Sequence, residues 1–205
     1  MNRVKVRVHC FSDYFYCCER SRLEKEGIEC PENEVLKEGT RVHEWLSQRP
    51  RNEKEAGLWD ALGPYLPISR THGNYEIIGH PDDLAVLEGK KVQVLEYKTV
   101  ESPQIAPWKR VLASFQVQLY AWILESVLPK IGYELAHAHK VVYLSRNGIF
   151  MKKATVEHDP YCTERKIDAI IQFWETGEPL IAPMKWKCKQ CPETFREKCR
   201  LVGKE

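Results

Sequence analysis

The sequence lacks a hydrophobic run long enough to cross a membrane. Its longest stretch without a charged side chain around the apolar centre covers residues 111–124, which include one serine and two glutamines. A bilayer requires about 20 apolar residues. Residues 1–7 alternate charged side chains with valine after the first two positions, which is not typical of a signal peptide. We therefore expect a cytoplasmic protein.

An excess of charge of one sign is also absent. The chain carries 31 basic and 29 acidic side chains, so its net charge of +2 does not by itself indicate a polyanionic partner. Residues 185–204 differ, with seven basic and two acidic side chains. There is no internal repeat or low-complexity segment, and 43% hydrophobic residues in 205 are typical of a globular protein. We expect a single domain over residues 1–205.

Cysteine, in contrast, is abundant in the chain. Eight cysteines are present, at positions 10, 17, 18, 30, 162, 188, 191 and 199. Without an export signal, clustered thiols more often bind metal than form disulfides. Cys188, Cys191 and Cys199 follow a C-x2-C-x7-C spacing, and no histidine follows them. A fourth ligand must then come from far away, and the Cys17–Cys18 pair is the leading source. The spacing fits an iron–sulfur cluster better than zinc, and unligated thiols are the third alternative.

The periodicity of the sequence predicts an α/β fold. Residues 34–47 have helical spacing of apolar groups, whereas residues 57–70, with two prolines, predict a loop. The expected strands are residues 75–79, 84–87, 92–98, 139–144 and 149–156, and further helices are expected over residues 110–127 and 163–176. Asn147-Gly148 indicates a hairpin turn. Strands interrupted by a helix favour a mixed sheet flanked by helices.

The segment from Asp82 to Lys98 carries the strongest chemical signal. If its two strands turn about Gly89, Asp82 lies opposite Glu96, and a two-residue turn would move the register by one. Glu96 and Lys98 project from the same face because side chains alternate along a strand. Two carboxylates near an ammonium can hold Mg²⁺ or Mn²⁺ and activate water for phosphodiester hydrolysis. The alternative is an ordinary cross-strand salt bridge.

Three further polar residues lie where they could join this group. His43 is at the edge of the apolar stripe of the predicted helix over residues 34–47, where it could reach a metal, or else point into solvent. Gln116 and Tyr120 are four residues apart on the apolar helix, and they could instead be a structural hydrogen-bonding pair.

The order of these motifs resembles a known family. The motifs are Cys18-Glu19-Arg20, His43, Gly79-His80-Pro81-Asp82, Glu96-Tyr97-Lys98, Gln116 with Tyr120, and the three C-terminal cysteines. Together they resemble the RecB-like nucleases of the PD-(D/E)XK superfamily that carry an iron–sulfur cluster. The small size is most similar to the fourth CRISPR-associated (Cas) protein family, RecB-like exonucleases of spacer acquisition.

This resemblance implies a restriction-endonuclease-like fold and a role for each matching residue. It implies that His43, Asp82, Glu96 and the carbonyl of Tyr97 bind Mg²⁺ or Mn²⁺, that Asp82, Glu96 and Lys98 are catalytic, and that Gln116 and Tyr120 support DNA binding. It also implies a cluster, [4Fe–4S] rather than [2Fe–2S], on Cys18, Cys188, Cys191 and Cys199, held by segments near residues 17–30 and 185–200. Glutamate replaces the proline that the family has after the first cysteine. Two further departures are seven rather than five residues before the last cysteine, and the Cys17–Cys18 doublet, which leaves the amino-terminal ligand open between these two positions.

The expected function is a metal-dependent DNA exonuclease acting on single-stranded or frayed ends. By resemblance it processes prespacers, with single-stranded DNA and CRISPR integrase proteins as partners. One alternative is a repair nuclease working beside a helicase, which would be a separate protein because the chain has no Gly-x4-Gly-Lys-Ser/Thr loop. The other is a catalytically weak subunit of the same fold that binds DNA or docks a protein.

Overall fold

A computed structural model describes residues 3–28, 34–179, 188 and 191–200. The helices are α1 Val8–Asp13, α2 Cys18–Lys25, α3 Glu34–Ser47, α4 Glu53–Leu62, α5 Pro107–Leu124, α6 Pro160–Thr176 and α7 Glu193–Arg196. The strands are β1 Val4–Arg7, β2 Ile68–His72, β3 Tyr75–Gly79, β4 Asp83–Val86, β5 Lys91–Thr99, β6 Glu134–Leu135, β7 Ala138–Leu144 and β8 Phe150–Glu157. Short 3₁₀ turns lie at Gly63–Tyr65, Glu88–Lys90 and Leu128–Ile131.

The strands form two mixed sheets. In the larger one the order is β4-β5-β7-β8, with β6 beside β5, and in the smaller one it is β1-β3-β2. Strand β5 runs parallel to β7 and antiparallel to β4. The parallel pairing follows from the intervening α5, since parallel neighbours need a crossover connection. The mixed α/β fold expected from the sequence is therefore confirmed.

Helix α5 forms the centre of the hydrophobic core. It begins at Pro107, a residue suited to the first helical turn because that position needs no backbone donor. Phe115, Leu119 and Trp122 are almost completely buried, and Ala113 and Ala121 lie fully inside. A helix that is apolar on most of its surface must be covered on several sides. Here it packs against β5, β7 and α1, so it fixes the position of strand β5.

Most expected elements are present, and α3 has the bounds that the periodicity predicts. The loop expected over residues 57–70 is wrong, because that region holds the end of α4 and strand β2. Asn52 caps α4 by accepting from the Glu55 backbone N–H, and Glu55 accepts in return from Asn52. This reciprocal capping begins a helix that Gly57 does not interrupt. Pro64 falls in the first turn of the following 3₁₀ segment, where it breaks no hydrogen bond.

No helix in the described ranges has the length and apolar content that a bilayer crossing requires.

Candidate active site

The β4–β5 hairpin fixes the spacing of the acidic residues. Asp83 pairs with Leu95 and Val86 with Val92, which is the register expected for a turn about Gly89. Gly89 has a φ of 67°, a conformation that glycine adopts without steric cost. Extended by one residue, the same register places Asp82 opposite Glu96. The register prediction is confirmed, and the two-residue turn is excluded.

Asp82 is held by two different elements. Its Oδ1 lies 3.1 Å from Nδ1 of His43 on α3, and its Oδ2 accepts a 2.8 Å hydrogen bond from the backbone N–H of Tyr97. The N–H and C=O of one strand residue point to the same edge. The Tyr97 carbonyl therefore faces the Asp82 side of β5, where the ladder to β4 has ended at Asp83.

Glu96 is the most buried carboxylate of the group. Its side chain is 0% exposed, and its Oε1 lies 2.7 Å from Nζ of Lys98. Neither oxygen has a well-oriented hydrogen-bond donor among the described residues. Burial, opposed by the Lys98 charge, raises the pKa of Glu96 to about 7. A buried carboxylate with unused acceptor capacity is destabilising unless a cation compensates it.

Lys98 is positioned by helix α5. Its Nζ donates a 2.9 Å hydrogen bond to Oε1 of Gln116. Gln116 in turn lies within hydrogen-bonding reach of the Tyr120 hydroxyl, which is itself buried. Burial lowers the pKa of Lys98, but the nearby Glu96 and Asp82 carboxylates raise it above its ordinary value. In this environment the lysine is an ammonium.

The hydrogen bond between His43 and Asp82 shifts the pKa values of the two side chains in opposite directions. It raises the pKa of His43, although burial opposes this. Burial raises the pKa of Asp82, but the His43 bond, the Lys98 charge and the Tyr97 N–H lower it below its usual range. Of the two carboxylates, Asp82 is therefore ionised, whereas burial favours the neutral form of Glu96.

The donor set fits a hard divalent cation. Asp82 and Glu96 provide carboxylate oxygens, the ligands that Mg²⁺ and Mn²⁺ prefer, and His43 provides a nitrogen beside them. The buried Oε2 of Glu96, which has no donor among the described residues although Oε1 contacts Lys98, is the observation that favours such an ion. A cleft of about 270 Å³, lined by His43, Asp82 and Tyr97, opens the site to the surface.

Asp83 has a different role from its neighbour. Its Oδ2 accepts a 2.7 Å hydrogen bond from Nε of Arg49 and a 3.1 Å bond from the Tyr97 hydroxyl. Arg49 also contacts Glu55 on α4. Asp83 thus links β5, through Arg49 in the turn after α3, to α4, while Asp82 faces the site. Arg49 was missed by the sequence reasoning, since nothing in its local sequence distinguishes it from other exposed arginines.

Cys17 and the three C-terminal cysteines lie near opposite ends of the sequence, yet Cys17, Cys188, Cys191 and Cys199 are close enough for their charges to interact. The charges of Cys199 and Cys188 act on Cys17, and burial is the largest cause that raises the pKa of Cys17. Cys191 in turn interacts with Cys17, Cys199 and Cys188. Cys18 instead is 2% exposed and packs in the hydrophobic core. Cys30 lies outside the described residues.

The two ends of the chain are joined by ion pairs beside these thiols. The Glu19 carboxylate is buried and accepts 2.8 and 3.1 Å hydrogen bonds from the backbone N–H and Nε of Arg200. It also pairs with Arg22 at 2.9 Å, and Arg22 donates to the carbonyl of Lys198. These contacts hold α2 against the C-terminal segment and bring Cys17 near Cys199.

Comparison with known proteins identifies the family and a structure of similar fold. A sequence model of the PD-(D/E)XK nuclease superfamily matches residues 32–200. Among solved structures, the crystal structure of SSO0001 is similar over 98% of this chain and 87% of its own length, with a TM-score of 0.52 and 18% identity. At this identity the similarity concerns the fold alone. No curated protein matches the sequence significantly.

Proposed function

This chain belongs to the PD-(D/E)XK nuclease superfamily, and we propose that it is a metal-dependent DNA exonuclease formed by one RecB-like domain over residues 1–205. The observation that carries the proposal is the convergence of Asp82, Glu96 and Lys98 beneath a cleft, with Glu96 buried, its Oε1 beside Lys98 and its Oε2 without a hydrogen-bond donor among the described residues. An ordinary salt bridge needs neither the buried second carboxylate nor His43.

Each residue of the site has a separate task. His43, Asp82, Glu96 and the Tyr97 carbonyl would hold Mg²⁺ or Mn²⁺, which supplies positive charge near the scissile phosphate and lowers the pKa of water. The His43 and Tyr97 hydrogen bonds orient Asp82. The Lys98 ammonium can donate to a phosphate oxygen or orient the attacking water, and Gln116 keeps it in place.

Exposed aromatic side chains on α3 and at the β7–β8 turn support a single-stranded substrate. Trp45 is two residues after His43 on α3 and is 63% exposed. Its ring packs on the β7–β8 turn, where a Cβ atom at Gly148 would lie 3.4 Å away. Phe150, 58% exposed, follows this turn, and Lys152 is exposed beyond it. Unpaired bases stack on aromatic rings while basic side chains contact the phosphates.

An iron–sulfur cluster completes the proposal, with one change of ligand. We assign Cys17, Cys188, Cys191 and Cys199 as its ligands, because Cys17 interacts with the C-terminal thiols while Cys18 is buried in the core. Four thiolates are the usual ligands of [4Fe–4S] clusters. Such a cluster would link α2 to the C-terminal segment, next to the Glu19–Arg200 pair.

The biological setting that we propose is CRISPR adaptation, where the nuclease trims prespacer ends beside the integrase proteins. This part rests on the motif resemblance, which spans most of the chain. An end-processing nuclease needs single-stranded or frayed DNA, in keeping with the exposed rings around Trp45.

The test is cleavage of end-labelled single-stranded DNA by anaerobically purified protein with Mn²⁺. Wild type should degrade the DNA, and Lys98→Ala and Glu96→Gln should lower the rate by at least about 100-fold while iron content stays the same. Lys91→Ala is the matched control, because Lys91 is an exposed lysine at the other end of strand β5. Equal cleavage by wild type and Lys98→Ala would refute the assignment. Inactivity of all variants with retained DNA binding would favour a binding subunit.

A further inference from the structure

A second group of metal-binding side chains lies between α1 and α2. Among the described residues, the ligand atoms of His9, Cys10 and Glu24 all lie within 4.8 Å of one another. None of these residues belongs to the nuclease centre or to the four cysteines above. We propose that His9, Cys10 and Glu24 form a binding site for a Zn²⁺-class divalent ion.

The distances are close to those that such an ion requires. Around tetrahedral Zn²⁺, with bonds of about 2.0 to 2.3 Å, ligand atoms stand roughly 3.3 to 3.6 Å apart. The three atoms therefore need to approach by about 1.5 Å at most. Rotation of the His9 side chain can supply this, because His9 is exposed while Cys10 is buried.

Glu24 provides a second, independent observation. Its side chain is only 7% exposed, and its buried Oε2 accepts from no donor group in the described part of the chain, while the Asp13 carboxyl lies within hydrogen-bonding reach of Glu24. The other oxygen accepts a 2.8 Å hydrogen bond from Nε of Arg20, which fixes the orientation of the carboxylate. Metal ligands are commonly oriented by such outer contacts. Asp13 lies beside Glu24 and adds negative charge.

The ligand types select the metal. A thiolate with an imidazole and a carboxylate suits zinc or a similar transition metal, whereas Mg²⁺ and Ca²⁺ prefer oxygen ligands alone. Burial, reinforced by Asp13, raises the pKa of Glu24 to about 8. A bound cation would displace that proton as well as the thiol proton of Cys10.

Three protein ligands leave one coordination position open. A cavity of about 460 Å³ borders all three residues and opens to solvent, so water or a small anion can fill that position. The lysines on its rim are engaged elsewhere. Lys5 pairs with Glu76 at 3.9 Å, and Lys25 lies 5.8 Å from the ring centre of Trp174.

The test measures metal content rather than activity. Full-length protein, purified anaerobically with its iron quantified, is equilibrated with Zn²⁺, dialysed and analysed by mass spectrometry. We expect wild type to hold one zinc more per chain than His9→Ala and Cys10→Ser, whose zinc affinity at this site should fall about tenfold or more, with unchanged iron. Cys162→Ser is the control, since Cys162 lies on α6 outside the group. His9→Ala keeps the test valid if Cys10→Ser misfolds, because His9 is exposed.

Replacement of zinc by Co²⁺ gives a second measurement. Bound Co²⁺ should produce a thiolate charge-transfer band that Cys10→Ser lacks and Cys162→Ser retains. Equal zinc in all variants, absence of zinc from wild type, or zinc that enters only as iron is lost would each overturn the proposal.

Discussion

Nζ of Lys98 donates a 2.9 Å hydrogen bond to Oε1 of Gln116 while it lies 2.7 Å from Oε1 of Glu96. A residue on helix α5 thus sets the position of the lysine on strand β5. The motif resemblance implies that Gln116 supports DNA binding, and the contact adds a positioning role. Loss of this hydrogen bond should therefore affect the chemical step more than the affinity for DNA.

We expect Gln116→Ala to lower kcat by about 10- to 100-fold, because a hydrogen bond to a charged group contributes about 1.5 to 3 kcal/mol. The Kd for single-stranded DNA should change less than about twofold. Single-turnover cleavage and equilibrium binding measure the two quantities. Gln118→Ala is the matched control, since Gln118 lies on the same helix and donates instead to the Glu157 carbonyl. A raised Kd with an unchanged rate would assign Gln116 to DNA binding instead.

Gly79 allows the close approach of Tyr120 to the site. A Cβ atom at position 79 would lie 2.6 Å from Cε1 of Tyr120 and 2.7 Å from Cγ2 of Val8. We expect Gly79→Ala to destabilise the fold by about 1 to 3 kcal/mol, as overpacking of a core does. Urea unfolding measures this. Gly57→Ala, at an exposed helix position with open space, should instead stabilise by about 0.5 to 1 kcal/mol. A Gly79→Ala protein as stable as wild type would contradict the packing argument.

The two adjacent cysteines should behave differently. We expect Cys17→Ser to lose iron and its visible absorption, because Cys17 interacts with the C-terminal thiols. Cys18→Ala should keep both, since Cys18 is a buried core residue. Iron analysis and the melting temperature of each variant distinguish the two cysteines. Cys191→Ala should lower the iron content and the melting temperature, as Cys17→Ser does. The reverse pattern would return the ligand role to Cys18.

The exposed rings near the site should contribute to DNA affinity. We expect Trp45→Ala and Phe150→Ala each to weaken single-stranded DNA binding by about 5- to 100-fold, since stacking contributes about 1 to 3 kcal/mol per base. Blunt duplex binding should change little. Fluorescence anisotropy measures both affinities, and Tyr161→Ala is a control at an aromatic residue that is 71% exposed on α6. An equal loss on duplex DNA would argue against base stacking.

His139 should make the fold sensitive to acid. It is completely buried on β7, and its Nδ1 accepts a 3.2 Å hydrogen bond from the Val94 N–H. Burial, together with the charges of His158 and His137, lowers its pKa from 6.5 to about 4. The unfolded chain therefore takes up a proton at higher pH than the folded chain. Stability should fall as pH decreases from about 6.5 to 4, by roughly 3 kcal/mol in total from this residue.

Urea unfolding across that pH range measures the effect. His139→Asn keeps an acceptor for the Val94 N–H but does not titrate, so its stability should depend less steeply on pH than that of wild type. Because other titrating groups are common to both proteins, the difference between the two curves isolates His139. Parallel curves would show that burial does not shift this group.

The local sequence determined much of the nuclease hairpin. Alternation of side chains places Glu96 and Lys98 on one face of the strand. With the turn at Gly89, the register that pairs Asp82 with Glu96 could be predicted without knowledge of the tertiary fold. The helical spacing of apolar residues likewise predicted the bounds of α3. In contrast, the loop expected over residues 57–70 was wrong. The reciprocal cap of Asn52 and Glu55 starts α4, and pairing with β3 stabilises strand β2.

Only the tertiary structure decided which side chains of distant elements meet. The different environments of Asp82 and Asp83 depend on His43 on α3 and on Arg49 just beyond its end, each of which contacts one of the two carboxylates. The position of Lys98 depends on Gln116, because a strand pattern says nothing about the helix that covers it. The sequence alone determined the residue types and their local spacing, while the folded chain decided the contacts, since contacts between elements depend on packing rather than on periodicity.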